Sequence, residues 1–279
     1  MTDNNMDMMR GAMAVRGTLP LLTFPSLEAT GLVRHGFTTR EGGVSEGIYR
    51  SLNLSFSRGD DPEAVHENFR RAAEALGVTP DCFIFTDQTH TANVLRVDAS
   101  DAGKGIMRPR GYSDVDGLIT DAPGIVLSAF FADCVPLYFV DPVHKAIGLS
   151  HSGWRGTVQR MGQATADAMA AAFGTRPEDL ICGIGPCICQ DCYEVSADVA
   201  EHFAGEFPGH EAALLRDDHN GKFHLDLKAA NRIVLEEAGV PAEQITDSGL
   251  CTCCEPENLF SHRASKGRRG NLAAFLGLL

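Results

Sequence analysis

A chain of 279 residues with 44% apolar side chains is long enough for one large domain or two small ones, and for a sizeable buried core. Its net charge of −13 argues against broad nucleic-acid binding, because the phosphate backbone rewards clustered Lys and Arg; a neutral substrate, or a small anion held by a few local arginines, remains compatible. Nine cysteines, an odd number, read as reduced thiols or metal ligands before disulfides.

The N-terminal stretch MTDNNMDMMRGAMAVRG carries Asp3 and Asp7 and lacks a continuous apolar core, so it makes a poor secretory signal. Residues 1–17 are expected to be a flexible tail and 18–279 a single domain. VRHGFTT is the first expected strand. DDPEAVHENFRRAAEALG is a well-signalled helix, with Asp61 as N-cap, Pro62 at the first helical position and Gly77 closing it. Val65, Phe69, Ala72, Ala73 and Leu76 form its apolar face. ANVLRV, DGLIT, IVLSAFF, PLYFV and AIGLS follow as short β-branched and aromatic runs. TVQRMGQATADAMAAAF and DLKAANRIVLEEAG are expected helices, the second capped by Asp226 and closed by Gly239, and QITDSGL is a further strand. Strands and helices alternate irregularly, which suggests a mixed-sheet α/β or α+β fold. The longest apolar tract is broken by Asp133 and Pro136 and is too short to span a bilayer. The expectation is a soluble, cytoplasmic monomer with no membrane or nucleic-acid partner.

Reactive side chains stand at the ends of the apolar runs. Cys134 lies between IVLSAFF and PLYFV, and His151 closes AIGLS. The glycine-flanked turn SGWRG follows, where backbone N–H groups and Arg155 favour an anion. His90, in FTDQTHTANVLRV, is a third candidate. Two imidazoles and one thiolate on separate loops supply three ligands for a tetrahedral zinc ion, with the fourth position left for water or substrate. Other readings stand beside it. A Cys or His beside a strand often only fills a core. Cys134 as nucleophile with His151 as base makes a metal-free amidase or peptidase. A zinc that merely staples a binding protein is a third reading.

DQTH, DGLIT, FADCVPLYFVDP, GLSHSGWRGTV, GIGPCI…CYEV and LFSHRASKGRRGNLAAF occur in this order, after TTREGGVSEGIYRSLNLSFSRGDDPEAVHENFRR. Together they resemble the YfiH family, whose members are described as laccase-like polyphenol oxidoreductase, peptidoglycan editing factor or purine nucleoside phosphorylase. The likeness runs from about Leu32 onward. It implies a single catalytic domain of layered α/β/β/α type with mixed sheets. It also implies one metal held by His90, Cys134 and His151, and action on purine nucleosides: phosphorolysis of adenosine, inosine and methylthioadenosine, and deamination of adenosine. Arg40 and Ser51 match the family's TRxGG arginine and SLNL serine and are carried over as substrate or phosphate contacts.

For deamination, zinc would activate water for attack on the purine C6, with Asp133 the nearest carboxylate by sequence to shuttle protons. For phosphorolysis, Arg40 and Arg155 would clamp the phosphate. Copper is the weaker choice of metal, because the ten histidines contain no His-x-His pair to feed a trinuclear cluster. The wall-editing reading would hydrolyse mis-built cell-wall precursors through the same Cys/His or zinc centre. Two features depart from a single-metal pattern. Thr89 stands where the family has an apolar residue between Gln and His. Cys189/Cys192 and Cys251/Cys254 form two Cys-x-x-Cys pairs that could build a second, four-cysteine site, but the long separation and the leftover Cys187 and Cys253 make separate thiols the default expectation.

Overall fold

Strands such as Val135–Asp141 and Leu272–Leu278 are buried at every residue, so both of their faces must be covered. The computed structural model, which describes residues 12–17 and 19–279, shows how. One six-stranded sheet runs, edge to edge, Ala12–Arg16, Leu19–Thr23, Val33–Thr38, Leu272–Leu278, Val126–Phe131, Phe83–Phe85. A second runs Ile245–Asp247, Ile181–Ile184, Val135–Asp141, Ala146–Ser152, Gly117–Thr120, Val94–Arg96. Each mixes parallel and antiparallel pairs. A small three-stranded sheet of Glu194–Ser196, Lys222–Leu225 and Leu215–Asp217 sits apart from both.

Alternation along the strands builds three cores. Leu127, Ala129, Leu272, Ala274 and Leu276 of the first sheet meet Leu118, Tyr138, Val140, Ile147 and Leu149 of the second between the sheets. The Tyr138 hydroxyl donates to the Gly36 carbonyl across the gap at 3.2 Å. Residues one step out of phase, Ala273 and Phe275, pack with Phe83 and Phe85 against Val65, Phe69 and Ala72 of the Pro62–Ala75 helix. On the other side Val135, Leu137 and Phe139 pack against Ala166, Met169, Phe203 and Val234, from the Met161–Phe173, Ala197–Glu206 and Leu227–Glu237 helices. The result is a helix–sheet–sheet–helix sandwich, the mixed α/β architecture expected.

The expected strands from VRHGFTT to QITDSGL all form, most within a residue or two of their ends, while the last stops at Asp247, three residues short of Leu250. Asp61 accepts from the Glu63 amide at 3.1 Å and Asp226 from the Ala229 amide at 2.9 Å, each capping its helix. Gly77 and Gly239 stand at φ +68° and +97° beyond those helices. One expected helix is broken. TVQRMGQATADAMAAAF divides into Trp154–Val158 and Met161–Phe173 at Arg160, whose φ is +58°. Arg160 is held in that left-handed conformation by ion pairs to Glu206 at 3.3 Å and Glu237 at 2.6 Å, contacts from distant helices that local periodicity does not register. Of the expected tail, residues 1–11 lie outside the described residues, while Ala12–Arg16 pairs antiparallel with Leu19–Thr23.

Candidate metal centre

Two connections carry the chain from the first sheet to the second, and they leave it side by side. Phe83–Phe85 and Val126–Phe131 are parallel neighbours. The first leads through residues 86–93 to Val94–Arg96, the second through residues 132–134 to Val135–Asp141. His90 lies on one crossover and Cys134 on the other. Between their target strands, Ala146–Ser152 runs antiparallel to Val135–Asp141 and to Gly117–Thr120. It therefore ends where they begin. His151, two residues beyond inward-facing Leu149, continues the face turned between the sheets. Topology alone thus delivers three donors to one end of the sandwich, and their ligand atoms lie within 4.8 Å of one another.

Asp116, which opens the Gly117–Thr120 strand, fixes their orientation. It is fully buried, and its carboxylate accepts from the backbone amides of Thr89, His90 and Thr91 at 3.0, 3.2 and 3.0 Å. It also binds His151 Nδ1 at 2.8 Å, which leaves Nε2 for the centre. Burial works against the charge on Asp116, but the imidazole and the amides outweigh it and hold the carboxyl below its usual range. The same opposition shapes the pair it supports. Burial would raise the Cys134 thiol, yet His151 and His90 bring it down to about 6. Burial would lower His151, yet Cys134 and Asp116 lift it. Each group thus favours the charged form of the other; a divalent cation would take the place of the imidazolium proton.

Close packing at the centre requires a glycine. A Cβ at Gly153 would lie 3.0 Å from Cys134 Sγ and 3.0 Å from His90 Cδ2. Gln88 fastens the two crossovers together, donating to the Phe130 carbonyl at 2.7 Å and accepting from its amide at 2.9 Å. The donors form part of the wall of a cavity of about 490 Å³, a size suited to a small ligand, also lined by Arg58, Asp87, Arg110, Phe130, Arg269 and Asn271.

The other expected site residues stand elsewhere. Arg40 is tied to the Arg50 and Pro256 carbonyls, both at 2.7 Å, and its guanidinium lies 4.6 Å from the centre of the Phe260 ring. Ser51 donates to the Arg40 carbonyl at 2.9 Å and accepts from the Gly43 amide at 3.1 Å. Arg155 is exposed and stacks on Trp154 at 4.3 Å. None of the three lines the cavity. Asp133 also does not. Its oxygens accept from Thr252 Oγ1 and the Arg263 amide, both at 2.7 Å, so the carboxylate anchors the C-terminal loop.

The cavity instead receives Arg58 and Arg269, which sequence reasoning passed over although both lie in quoted motifs, SFSRGDD and KGRRGNLAAF. Arg269 is buried, and that burial, with Arg58 nearby, lowers its guanidinium to about 10. Its Nε has no partner among the described residues. Asp116 was also overlooked; an acidic residue opening a buried strand in DGLIT was the available signal. The two Cys-x-x-Cys pairs, expected as separate thiols, are brought together into one cluster.

Residues 34–279 match the family model described as multi-copper polyphenol oxidoreductase laccase. The chain is 42% identical over 260 residues to a purine nucleoside phosphorylase of Deinococcus radiodurans, covering 93% of each chain. It is 37% identical over 229 residues to a protein named adenosine deaminase RL5, from an unknown prokaryotic organism, covering 81% of this chain and 87% of that one. The crystal structure of the Bacillus licheniformis hypothetical protein YfiH superposes with a TM-score of 0.89 at 34% identity, over 96% of this chain and 99% of the other.

Proposed function

From the premise that this chain belongs to the multi-copper polyphenol oxidoreductase laccase family, we propose that it is a zinc-dependent purine nucleoside enzyme. Its reactions would be phosphorolysis of adenosine, inosine or methylthioadenosine to free base and ribose 1-phosphate species, and deamination of adenosine to inosine and ammonia. The single observation that carries the reading is the convergence of two imidazoles and a thiol on a cavity that is also lined by Arg58 and Arg269. The names of the similar proteins, a purine nucleoside phosphorylase and an adenosine deaminase, point to the same substrates.

The donor set suits zinc. His90, Cys134 and His151 would hold it, with Asp116 keeping the Nδ1 proton of His151 and so presenting Nε2. When bound, zinc supplies a Lewis acid that activates water or polarises an oxygen of the substrate. Copper oxidation of phenols fits less well, because none of the donor clusters among the described residues has more than two imidazoles.

The rest is done by the chain itself. Arg58 and Arg269, both in the wall of the cavity, take the phosphate, in place of the expected Arg40 and Arg155. Phe130, stacked on Phe85 at 4.4 Å, gives a flat apolar wall for the base. Asp87, held 3.5 Å from Arg110 at the cavity wall, is better placed than Asp133 to receive or return a proton.

Incubating the zinc-loaded protein with adenosine, with and without phosphate, tests the reading. Inosine without phosphate reports deamination, and adenine formed only with phosphate reports phosphorolysis. Neither product, from protein carrying its metal, would sink the proposal. The thiolate–imidazolium character of Cys134 and His151 also suits a cysteine hydrolase acting on cell-wall precursors. Full metal retention in an inactive Cys134→Ala protein would favour that second reading.

A further inference from the structure

Ile181–Ile184 and Ile245–Asp247 are adjacent parallel strands in register, so the segments that follow them leave the sheet at the same end. Each segment carries a Cys-x-x-Cys pair. The pairing continues past the strands as a parallel bridge between Cys187 and Cys251, with the Thr252 amide donating to the Cys187 carbonyl at 3.1 Å. Register thus places Cys189 and Cys192 opposite Cys251 and Cys254, although Cys192 and Cys254 are 62 positions apart in the chain.

We propose that Cys189, Cys192, Cys251 and Cys254 form a second, structural zinc site of four thiolates. All four sulfurs lie within 4.8 Å of one another. Cys192 and Cys254 are 3.5 Å apart, and Cys189 and Cys254 3.9 Å, with every cysteine reduced. A tetrahedron with metal–sulfur bonds of about 2.3 Å has edges of about 3.8 Å, so these spacings suit a shared cation. The backbone supplies an independent sign. The Cys189 and Cys254 amides both point at Cys251 Sγ, at 3.2 and 3.4 Å, one from each turn, an arrangement that favours a thiolate over a thiol. Arg263, whose guanidinium donates to the Cys192 carbonyl at 3.3 Å, brings positive charge beside the anionic cluster.

Cys187 and Cys253, the residues that counted against this site in the sequence, have separate places. Cys187 is buried in the core formed with the outer helices, and Cys253, although its thiol lies beside Cys192, is not one of the four mutually grouped sulfurs. With all four positions taken by sulfur, the site offers no place for substrate and acts as a staple. It joins the turn after one strand to the loop whose Thr252 and Arg263 grip Asp133, the neighbour of Cys134. The first metal centre is thereby backed by the second.

Metal analysis of the full chain, purified under reducing conditions, tests the assignment. Wild type should hold about two zinc ions per chain. Cys189→Ser and Cys254→Ser should each lose one equivalent, as should His90→Ala, while Cys253→Ser keeps both. Circular dichroism checks that each variant is folded. If the cysteine variants fail to fold, cobalt substitution of the His90→Ala protein decides: a tetrathiolate gives intense sulfur-to-cobalt charge transfer and strong visible bands. A wild type with one zinc that His90→Ala removes would overturn the site. So would a Cys189–Cys192 or Cys192–Cys254 disulfide in the native protein, or no cobalt bands in the His90→Ala protein. These outcomes leave the nucleoside reading standing, because they concern different ligands.

Discussion

The two sulfur-bearing clusters solve opposite problems. His90, Cys134 and His151 come from three separate elements, are aimed by the buried Asp116, and leave a side facing a polar cavity. The four cysteines come from two turns, are aimed by the turns' own amides, and close on one another. Openness at the first centre depends on side chains from across the molecule, whereas closure at the second needs only two adjacent parallel strands. A reactive centre is therefore fragile to distant changes, and a staple is fragile mainly to loss of its own ligands.

Breaking the open centre should have the largest effect. His90→Ala and Cys134→Ala should each lower nucleoside turnover to background and remove one zinc equivalent, read by chromatography and metal analysis. Activity unaffected by His90→Ala would mean that the third donor has been misassigned. Asp116→Asn keeps every donor but weakens the hold on His151 and on the 89–91 backbone. A loss of about 10–100-fold in metal affinity or turnover is expected, measured by competition with a chelator. Arg269→Ala and Arg58→Ala should raise the KM for phosphate by about tenfold or more while sparing phosphate-free deamination, which separates anion binding from the chemistry at the donors.

Acidity sharpens the contrast. In zinc-stripped protein, Cys134 should alkylate with a rate that rises through pH of about 6 and levels off above it, because its thiol is depressed by His151 and His90. An ordinary thiol would rise near pH about 8.5. The sign follows from linkage: stabilisation by the native thiolate is present above the ordinary thiol range and is lost as pH falls through about 6. The smallest effect belongs to a site remote from both clusters. Asp61→Ala removes a helix cap and should cost about 1 kcal/mol in urea unfolding, with metal content unchanged.

Much of the open centre was legible because chemistry showed at strand ends. A thiol and an imidazole closing apolar runs are out of place in a packing core, His90 stood in a loop before another strand, and the motif resemblance implied the same three ligands. What was hidden was hidden for physical reasons. Asp116 acts through a carboxylate whose partners come from a loop 25 and more positions away. Arg58 and Arg269 look like surface cations until tertiary contacts bury one of them beside the other. Arg40, Ser51 and Arg155 show the reverse: charge and hydroxyl groups in a motif can build the loop that carries it. In the fold, NLAAFLGLL reads locally as helix-forming, yet Leu272–Leu278 is a central strand flanked by Val33–Thr38 and Val126–Phe131.

Taken by itself, the amino-acid order determined the local pieces: alternation set the strands, Asp61 and Asp226 capped two helices, and the residue types of a metal site stood out. Those choices rest on interactions within a few residues of one another. Only tertiary structure decided which ends of the strands coincide. It made the sheet crossovers neighbours, turned Asp133 toward the C-terminal loop, put two arginines into one cavity and paired cysteines from distant turns. Such convergence depends on strand direction and register, which arise when whole sheets bury their faces together and which no short window of sequence contains.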